Sequence, residues 1–83
     1  MSDSTLRPLS RVPRGRTIRI AALAGGEAFQ SRLISMGLRV GNRATVVRSS
    51  NGSGGPTLVK IGETRLAIGH GMADRIMVEV AER

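Results

Sequence analysis

The clearest pattern of apolar and polar positions along this chain predicts a short helix that ends at a glycine. Phe29, Leu33 and Met36 are spaced four and three residues apart, so in a helix they share one face. Gly37 follows them, and glycine adopts the left-handed conformation of a helix C-terminus without a Cβ penalty. Leu38 then stands where a Schellman ending places an apolar residue against Leu33. The sequence therefore predicts a helix with a fixed end, followed at once by an extended segment.

Alternation of apolar and polar residues predicts five short strands. They cover residues 16–23, 44–47, 57–61, 65–68 and 76–80. In the first of them we predict that Ile18, Ile20 and Ala22 share the side that faces the core. Residues 69–75, between the last two strands, form a predicted turn that could contain one helical turn.

Glycine-rich and serine-rich segments separate these elements. Residues 49–56 have the composition of a mobile loop, which favours turns and buries little. Short strands at close spacing, with glycine-rich turns, are typical of a small barrel or sandwich, and closing the sheet removes exposed strand edges. We therefore predict an all-β fold, a small SH3-like barrel of about five short strands with one short helix between the first two. Residues 1–8 are predicted to be a polar tail, and residues 9–83 the barrel domain.

Length and composition indicate one small domain. The chain has 83 residues and no cysteine, so its stability must come from aliphatic packing without disulfides. No stretch approaches the roughly 20 apolar residues of a membrane-spanning helix, and the first residues show no apolar segment of a signal peptide. We expect a soluble, cytoplasmic protein.

The positive charge is concentrated in the first half of the chain. The formal net charge is +7, and residues 1–48 hold nine arginines against two acidic residues, whereas residues 49–83 are balanced. Such a surface suits nucleic acid, an anionic membrane face or an acidic protein. A solvated surface in an arginine-rich chain is an equally good interpretation.

Residues that usually carry catalysis or bind metal ions are scarce. His70 is the single histidine, and it would lie near Asp74 if that turn is helical, but no serine stands in a nucleophile-elbow pattern. Tight transition-metal sites need several histidine, cysteine or clustered carboxylate ligands. We expect no enzymatic activity, no cofactor and no metal site. Phe29 is the single aromatic residue, which disfavours base stacking and leaves contacts to phosphate backbones open.

The order and spacing of these motifs resemble the FeoA family. The matching elements are, in order, Leu9 and Val12 before Gly15, Ile18 and Ile20, Gly25-Gly26, the segment from Arg32 to Gly41, Gly55-Pro56, Leu58, Val59 and Ile61, Leu66-Ala67-Ile68, Ala73, and residues 76–80. The resemblance covers about residues 6–80. Two departures stand out: Val40 replaces a proline that is usual in the family, and Gly69-His70 replace a position that is often basic.

The resemblance implies a small accessory protein of bacterial ferrous-iron transport. Proteins of this family are SH3-like barrels that bind FeoB, the ferrous-iron permease with a GTP-binding domain, on its cytosolic side. The resemblance thus implies a location in the cytoplasm, including the inner face of the cytoplasmic membrane, and neither enzymatic activity nor iron binding. The alternative from the residues themselves is an arginine-rich, SH3-like nucleic-acid-binding or regulatory module.

The predicted partner contact lies around the helix and the segment that follows it, residues 29–40. Ile34 lies about 100° around the helix from Leu33, which predicts partial exposure, and arginines flank it. An apolar centre with an arginine rim is typical of a protein-binding surface. The alternative is that Ile34 packs beneath the loop of residues 49–56. The residues assigned to partner binding are Arg32, Leu33, Ile34, Met36, Leu38 and Arg39.

Overall fold

The computed structural model describes residues 6–49 and 54–81, which form strands, two helices and a single 3-10 turn. The strands are β1 (Leu6–Pro8), β2 (Thr17–Leu23), β3 (Arg43–Arg48), β4 (Thr57–Ile61), β5 (Thr64–Ile68) and β6 (Ile76–Val80). Helix α1 (Glu27–Ser35) connects β2 to β3, helix α2 (His70–Ala73) connects β5 to β6, and the 3-10 turn covers Leu9–Arg11. The helix predicted to end at Gly37 is α1, and α2 is the single helical turn foreseen in residues 69–75.

All neighbouring strands are antiparallel, in the order β1-β6-β2-β3-β4-β5. The inward side chains of β2 to β6 form one buried cluster together with residues from both helices and from the 3-10 turn. Its members are Leu9, Val12, Ile18, Ile20, Leu33, Leu38, Ala44, Val46, Val59, Ile68, Ala73, Ile76 and Val78. The predicted fold class is confirmed: the protein is a small fold of antiparallel strands with the short helix α1 between β2 and β3, consistent with an SH3-like architecture.

Strand β1 corrects both the predicted strand number and the predicted domain boundary. Leu6 pairs with Glu79 and Pro8 pairs with Met77, so residues 6–8 belong to the sheet and not to a polar tail. Leu6 and Arg7 are exposed, which means that backbone pairing with β6, and not an apolar face, defines this strand. A sequence pattern carries no such signal. Residues 1–5, the rest of the predicted tail, lie outside the described residues.

Strand β2 contains an irregularity that reverses its pattern. Ile18 and Ile20 are buried as predicted, but the register with β6 shifts between Ile20 and Ala22, and Ala22 is exposed. Leu23 instead lies opposite Ile76 and packs against the core. A bulge inserts one extra residue, and with a side-chain period of two this exchanges the faces of the sheet. The prediction that Ala22 faces the core is therefore wrong.

Of the loop predicted at residues 49–56, residues 50–53 lie outside the described residues. Across the described ranges, no helix combines the length and the apolar character that crossing a bilayer requires.

Candidate docking surface at the end of helix α1

The inner face of helix α1 is the predicted one. Leu33 is completely buried, and Phe29 and Met36 are partly buried against the core cluster. The guanidinium carbon of Arg75 lies 5.5 Å from the centre of the Phe29 ring, within the range of a cation–π contact. The helix is thus anchored along its length, and the residues between these anchors face outwards.

The end of helix α1 is the predicted Schellman motif. The amide of Leu38 donates to the carbonyl of Leu33 and the amide of Gly37 donates to the carbonyl of Ile34, each at 2.9 Å. Gly37 has a φ of +99°, in the left-handed region that glycine supplies. Leu33 and Leu38 are both buried, so the apolar contact that accompanies this motif is also present. These bonds fix the direction in which the chain leaves the helix.

The segment after the helix forms a tight turn tied to strand β2. The amide of Asn42 donates to the carbonyl of Arg39 at 3.1 Å, and the Asn42 side-chain oxygen accepts from the Arg39 amide at 2.8 Å. Gly41 has a φ of +97°, as the third residue of a type II turn requires. The Gly41 amide donates to the carbonyl of Ile20 at 2.7 Å, which anchors the turn in the sheet. Val40, the second residue of the turn, is held in place with 60% of its surface exposed.

We define the helix-exit surface as the exposed residues of this region, Arg32, Ile34, Arg39 and Val40, together with the half-buried Met36 at its edge. Within the described residues three large apolar side chains are exposed, and two of them, Ile34 at 46% and Val40 at 60%, belong to it. Arg32 and Arg39 are exposed in the same segment, and neither has a carboxylate within ion-pair distance in the described part of the chain. The surface therefore combines exposed apolar area with unpaired positive charge.

The structure divides the six residues predicted to bind a partner into two groups. Arg32, Ile34 and Arg39 are exposed and Met36 is half-buried, so these four can be touched from outside. Leu33 and Leu38 are buried to within 1%, so they support the surface from below and do not face a partner. Val40 lies at the end of the predicted range of residues 29–40 but was not among the six assigned residues, and the structure shows it exposed.

A second group of polar residues lies at helix α2. Ser10 is buried and donates a hydrogen bond to Asp74 Oδ1, while His70 Nε2 lies 3.8 Å from Asp74 Oδ2. The carboxylate stands between the hydroxyl and the imidazole, whereas nucleophilic catalysis needs the imidazole against the hydroxyl. The group links the 3-10 turn to α2, which are far apart in sequence, and its arrangement is that of a structural contact.

We expect the purified protein to bind ferrous ion no more tightly than millimolar. Among the residues that the structure describes, no three histidine, cysteine, aspartate or glutamate side chains are grouped to hold a metal ion. A tight site would need such a group, because one imidazole and one carboxylate leave most of the coordination shell to water. Anaerobic calorimetry with ferrous sulfate measures this directly. A stoichiometric micromolar site would contradict the expectation, and loss of that site in His70→Ala would locate it.

Comparison with known proteins identifies relatives over almost the whole chain. The family model described as the FeoA domain matches residues 7–80. The putative Fe(2+) transport protein A of Methanocaldococcus jannaschii is 35% identical over 75 residues, which cover 90% of this chain and 88% of the relative.

Solved structures give the same result. The crystal structure of an iron uptake regulatory protein, FeoA, superposes with a TM-score of 0.81 at 34% identity and covers 93% of this chain and 99% of its own. The iron(II) transport protein A of Clostridium thermocellum superposes with a TM-score of 0.79 at 31% identity, over 89% of this chain and 45% of its own. A manganese-dependent transcriptional repressor has a TM-score of 0.83 at 20% identity, over 98% of this chain and 45% of its own, which shows a shared fold alone.

Proposed function

The chain belongs to the FeoA domain family, and we propose that it is a ferrous-iron transport accessory protein that docks on the cytosolic side of the permease FeoB. The contact is the helix-exit surface. The observation that carries this assignment is the exposure of Ile34 and Val40 in a segment that also carries two unpaired arginines and whose backbone is fixed at several points.

The rigidity of this segment favours binding. The Schellman bonds fix the helix end, and the turn of residues 39–42 is closed by backbone and side-chain hydrogen bonds and attached to Ile20. A surface that is already ordered loses little conformational entropy when a partner docks, so more of the interaction energy becomes affinity. Apolar side chains at the centre of such a patch contribute most of that energy once water is excluded from them.

The arginines of the surface favour an acidic partner. Arg32 lies on the helix and Arg39 on the turn, and both are exposed to solvent. Charges at the rim of an interface accelerate association and orient the partner more than they strengthen the final complex. Binding to the permease should therefore weaken as salt is added, mainly through a slower association rate.

The matched test compares three charge-altering variants of exposed residues. Ile34→Asp and Arg39→Glu change the helix-exit surface, whereas Arg65→Glu places the same acidic charge on strand β5, outside it. We expect the first two to weaken binding to solubilised FeoB by about tenfold or more, the loss of one well-placed interface residue, and Arg65→Glu to leave it unchanged. Pull-down from solubilised membranes and ferrous-iron uptake by cells are the measurements, after circular dichroism has verified each fold.

The alternative, nucleic-acid binding through general positive charge, predicts a different outcome. In that case Arg39→Glu and Arg65→Glu weaken the interaction equally, and Ile34→Asp does so through its charge alone. Equal effects of the two arginine variants, with a smaller effect of Ile34→Asp because it changes the net charge by one unit instead of two, would contradict docking through the helix-exit surface. Duplex DNA retained at the same salt concentration as the permease would favour the alternative directly.

A further inference from the structure

The outer face of the sheet places basic side chains directly opposite each other. Arg19 of β2 pairs with Arg43 of β3, and Lys60 of β4 pairs with Arg65 of β5. Thr45, two residues after Arg43, connects the two pairs because it lies opposite Lys60. All four basic residues are exposed. Like charges in directly opposed positions of an antiparallel sheet repel each other, so this arrangement needs a reason beyond folding.

The acidic side chains nearby compensate little of this charge. Glu79 of β6 accepts a hydrogen bond from Arg19 at 3.2 Å and so neutralises one of the four. Glu63 lies in the exposed turn between β4 and β5. Over the described ranges, neither Arg43 nor Lys60 has a carboxylate within 4.0 Å. The two residues therefore present uncompensated charge from neighbouring strands.

A cleft lies between these two cations. Its volume is about 280 Å³, and it is lined by Thr17, Arg43, Ala44, Thr45, Lys60 and Gly62. The lining thus brings two positive charges and two hydroxyls together without a carboxylate. Pockets for drug-sized ligands start at about 300 Å³. The cleft is slightly smaller than that range and open to solvent, so it suits a small anionic group.

We propose that this cleft binds a phosphate group, with Arg43 and Lys60 supplying the positive charge and the hydroxyls of Thr17 and Thr45 donating hydrogen bonds. A guanidinium fork matches two oxygens of a tetrahedral oxyanion, and an ammonium adds a mobile point charge. The bound phosphate would also relieve the repulsion between Lys60 and Arg65. The phosphate can belong to a free phosphate or to a lipid headgroup, which share this chemistry. The site uses no residue of the helix-exit surface, so it stands independently of the proposed docking on FeoB.

Binding should appear as stabilisation of the folded protein by phosphate. A ligand that binds the native state raises the melting temperature by mass action, whereas an unspecific salt effect is the same for any salt at equal ionic strength. The melting temperature is measured in sodium phosphate and in sodium chloride of matched ionic strength. In a second measurement, phosphate is titrated and the amide resonances of residues 17, 45 and 62 are followed by NMR. We expect a higher melting temperature in phosphate and saturable shifts at those amides.

The variants Arg43→Gln and Lys60→Gln test whether phosphate binds in the cleft. Each should weaken phosphate binding by about tenfold, the typical effect of losing a charge-assisted contact. Arg32→Gln removes the same charge from helix α1 and should bind phosphate as the parent does. Lys60→Gln should also be no less stable than the parent without phosphate, because it removes one of two opposed cations.

Vesicles separate the two sources of phosphate. A lipid-headgroup site predicts that the protein sediments with phosphatidylglycerol vesicles but not with phosphatidylcholine vesicles. This sedimentation should be lost in Lys60→Gln and kept in Arg32→Gln. Saturable binding of inorganic phosphate without such sedimentation assigns the site to a free phosphate. If phosphate acts no differently from chloride and all variants sediment equally, the proposal is wrong.

Discussion

Replacing Leu33 with alanine is expected to lower the free energy of unfolding by about 2–4 kcal/mol. Leu33 is completely buried and forms part of the single core cluster between helix α1 and the sheet. The substitution removes its apolar contacts and leaves a cavity that the surrounding strands can fill only in part. For a chain of this length the whole stability is about 4–12 kcal/mol, so the loss is a large share of it.

The matched control is Ile34→Ala. The two residues are adjacent in the same helix and lose a similar volume, but Ile34 is 46% exposed and lies on the outer face. Its truncation should cost less than about 1 kcal/mol, because a surface substitution leaves no cavity. Urea unfolding followed by circular dichroism gives both values. Equal losses in the two variants would show that helix α1 does not pack as described.

Local patterns were sufficient to predict helix α1 and its ending. The spacing of Phe29, Leu33 and Met36 gives the inner face, and Gly37 with Leu38 gives the Schellman motif, because all of these contacts form within a few residues of sequence. The five predicted strands are also present in the structure. They could be predicted from local sequence because apolar and polar residues alternate with a period of two in a strand that buries one face. The close spacing of these short strands predicted the small all-β architecture, and the family resemblance implied the same fold.

The missed features depend on contacts between distant segments. Strand β1 exists because residues 6–8 meet β6 more than sixty residues later, and its side chains are not sorted into inner and outer faces. The register shift in β2 depends on how β6 lies beside it. The cleft between Arg43 and Lys60 requires the order of strands β3 and β4 and their register. A sequence shows that both residues are basic, but it does not show that they are neighbours.

The turn of residues 39–42 explains one departure from the family pattern. Val40 occupies the second position of a type II turn, where proline is common because its fixed φ matches that position. In this chain a hydrogen-bonded Asn42 side chain closes the turn instead. The turn is therefore maintained without proline, and its second position carries an exposed apolar side chain in the helix-exit surface.

The variant Gly37→Val should lower the free energy of unfolding by more than about 1 kcal/mol, although nothing obstructs the new side chain. A Cβ atom at residue 37 would have no heavy atom within 4 Å other than those of residue 37 and its two chain neighbours, so the cost is conformational. At a φ of +99° a β-branched residue is strained. Relief of that strain would break the two hydrogen bonds that end the helix.

Two comparison variants separate conformational strain from the effect of a larger side chain. Gly37→Asn should cost less than Gly37→Val, because asparagine tolerates the left-handed region. Gly71→Val adds the same side chain at an open position outside that region and should change stability little. Thermal melts of the three variants rank them by melting temperature, which we expect to be lowest for Gly37→Val. A Gly37→Val protein as stable as its parent would mean that the Schellman ending does not hold the chain, and that the helix-exit surface is not preorganised for a partner.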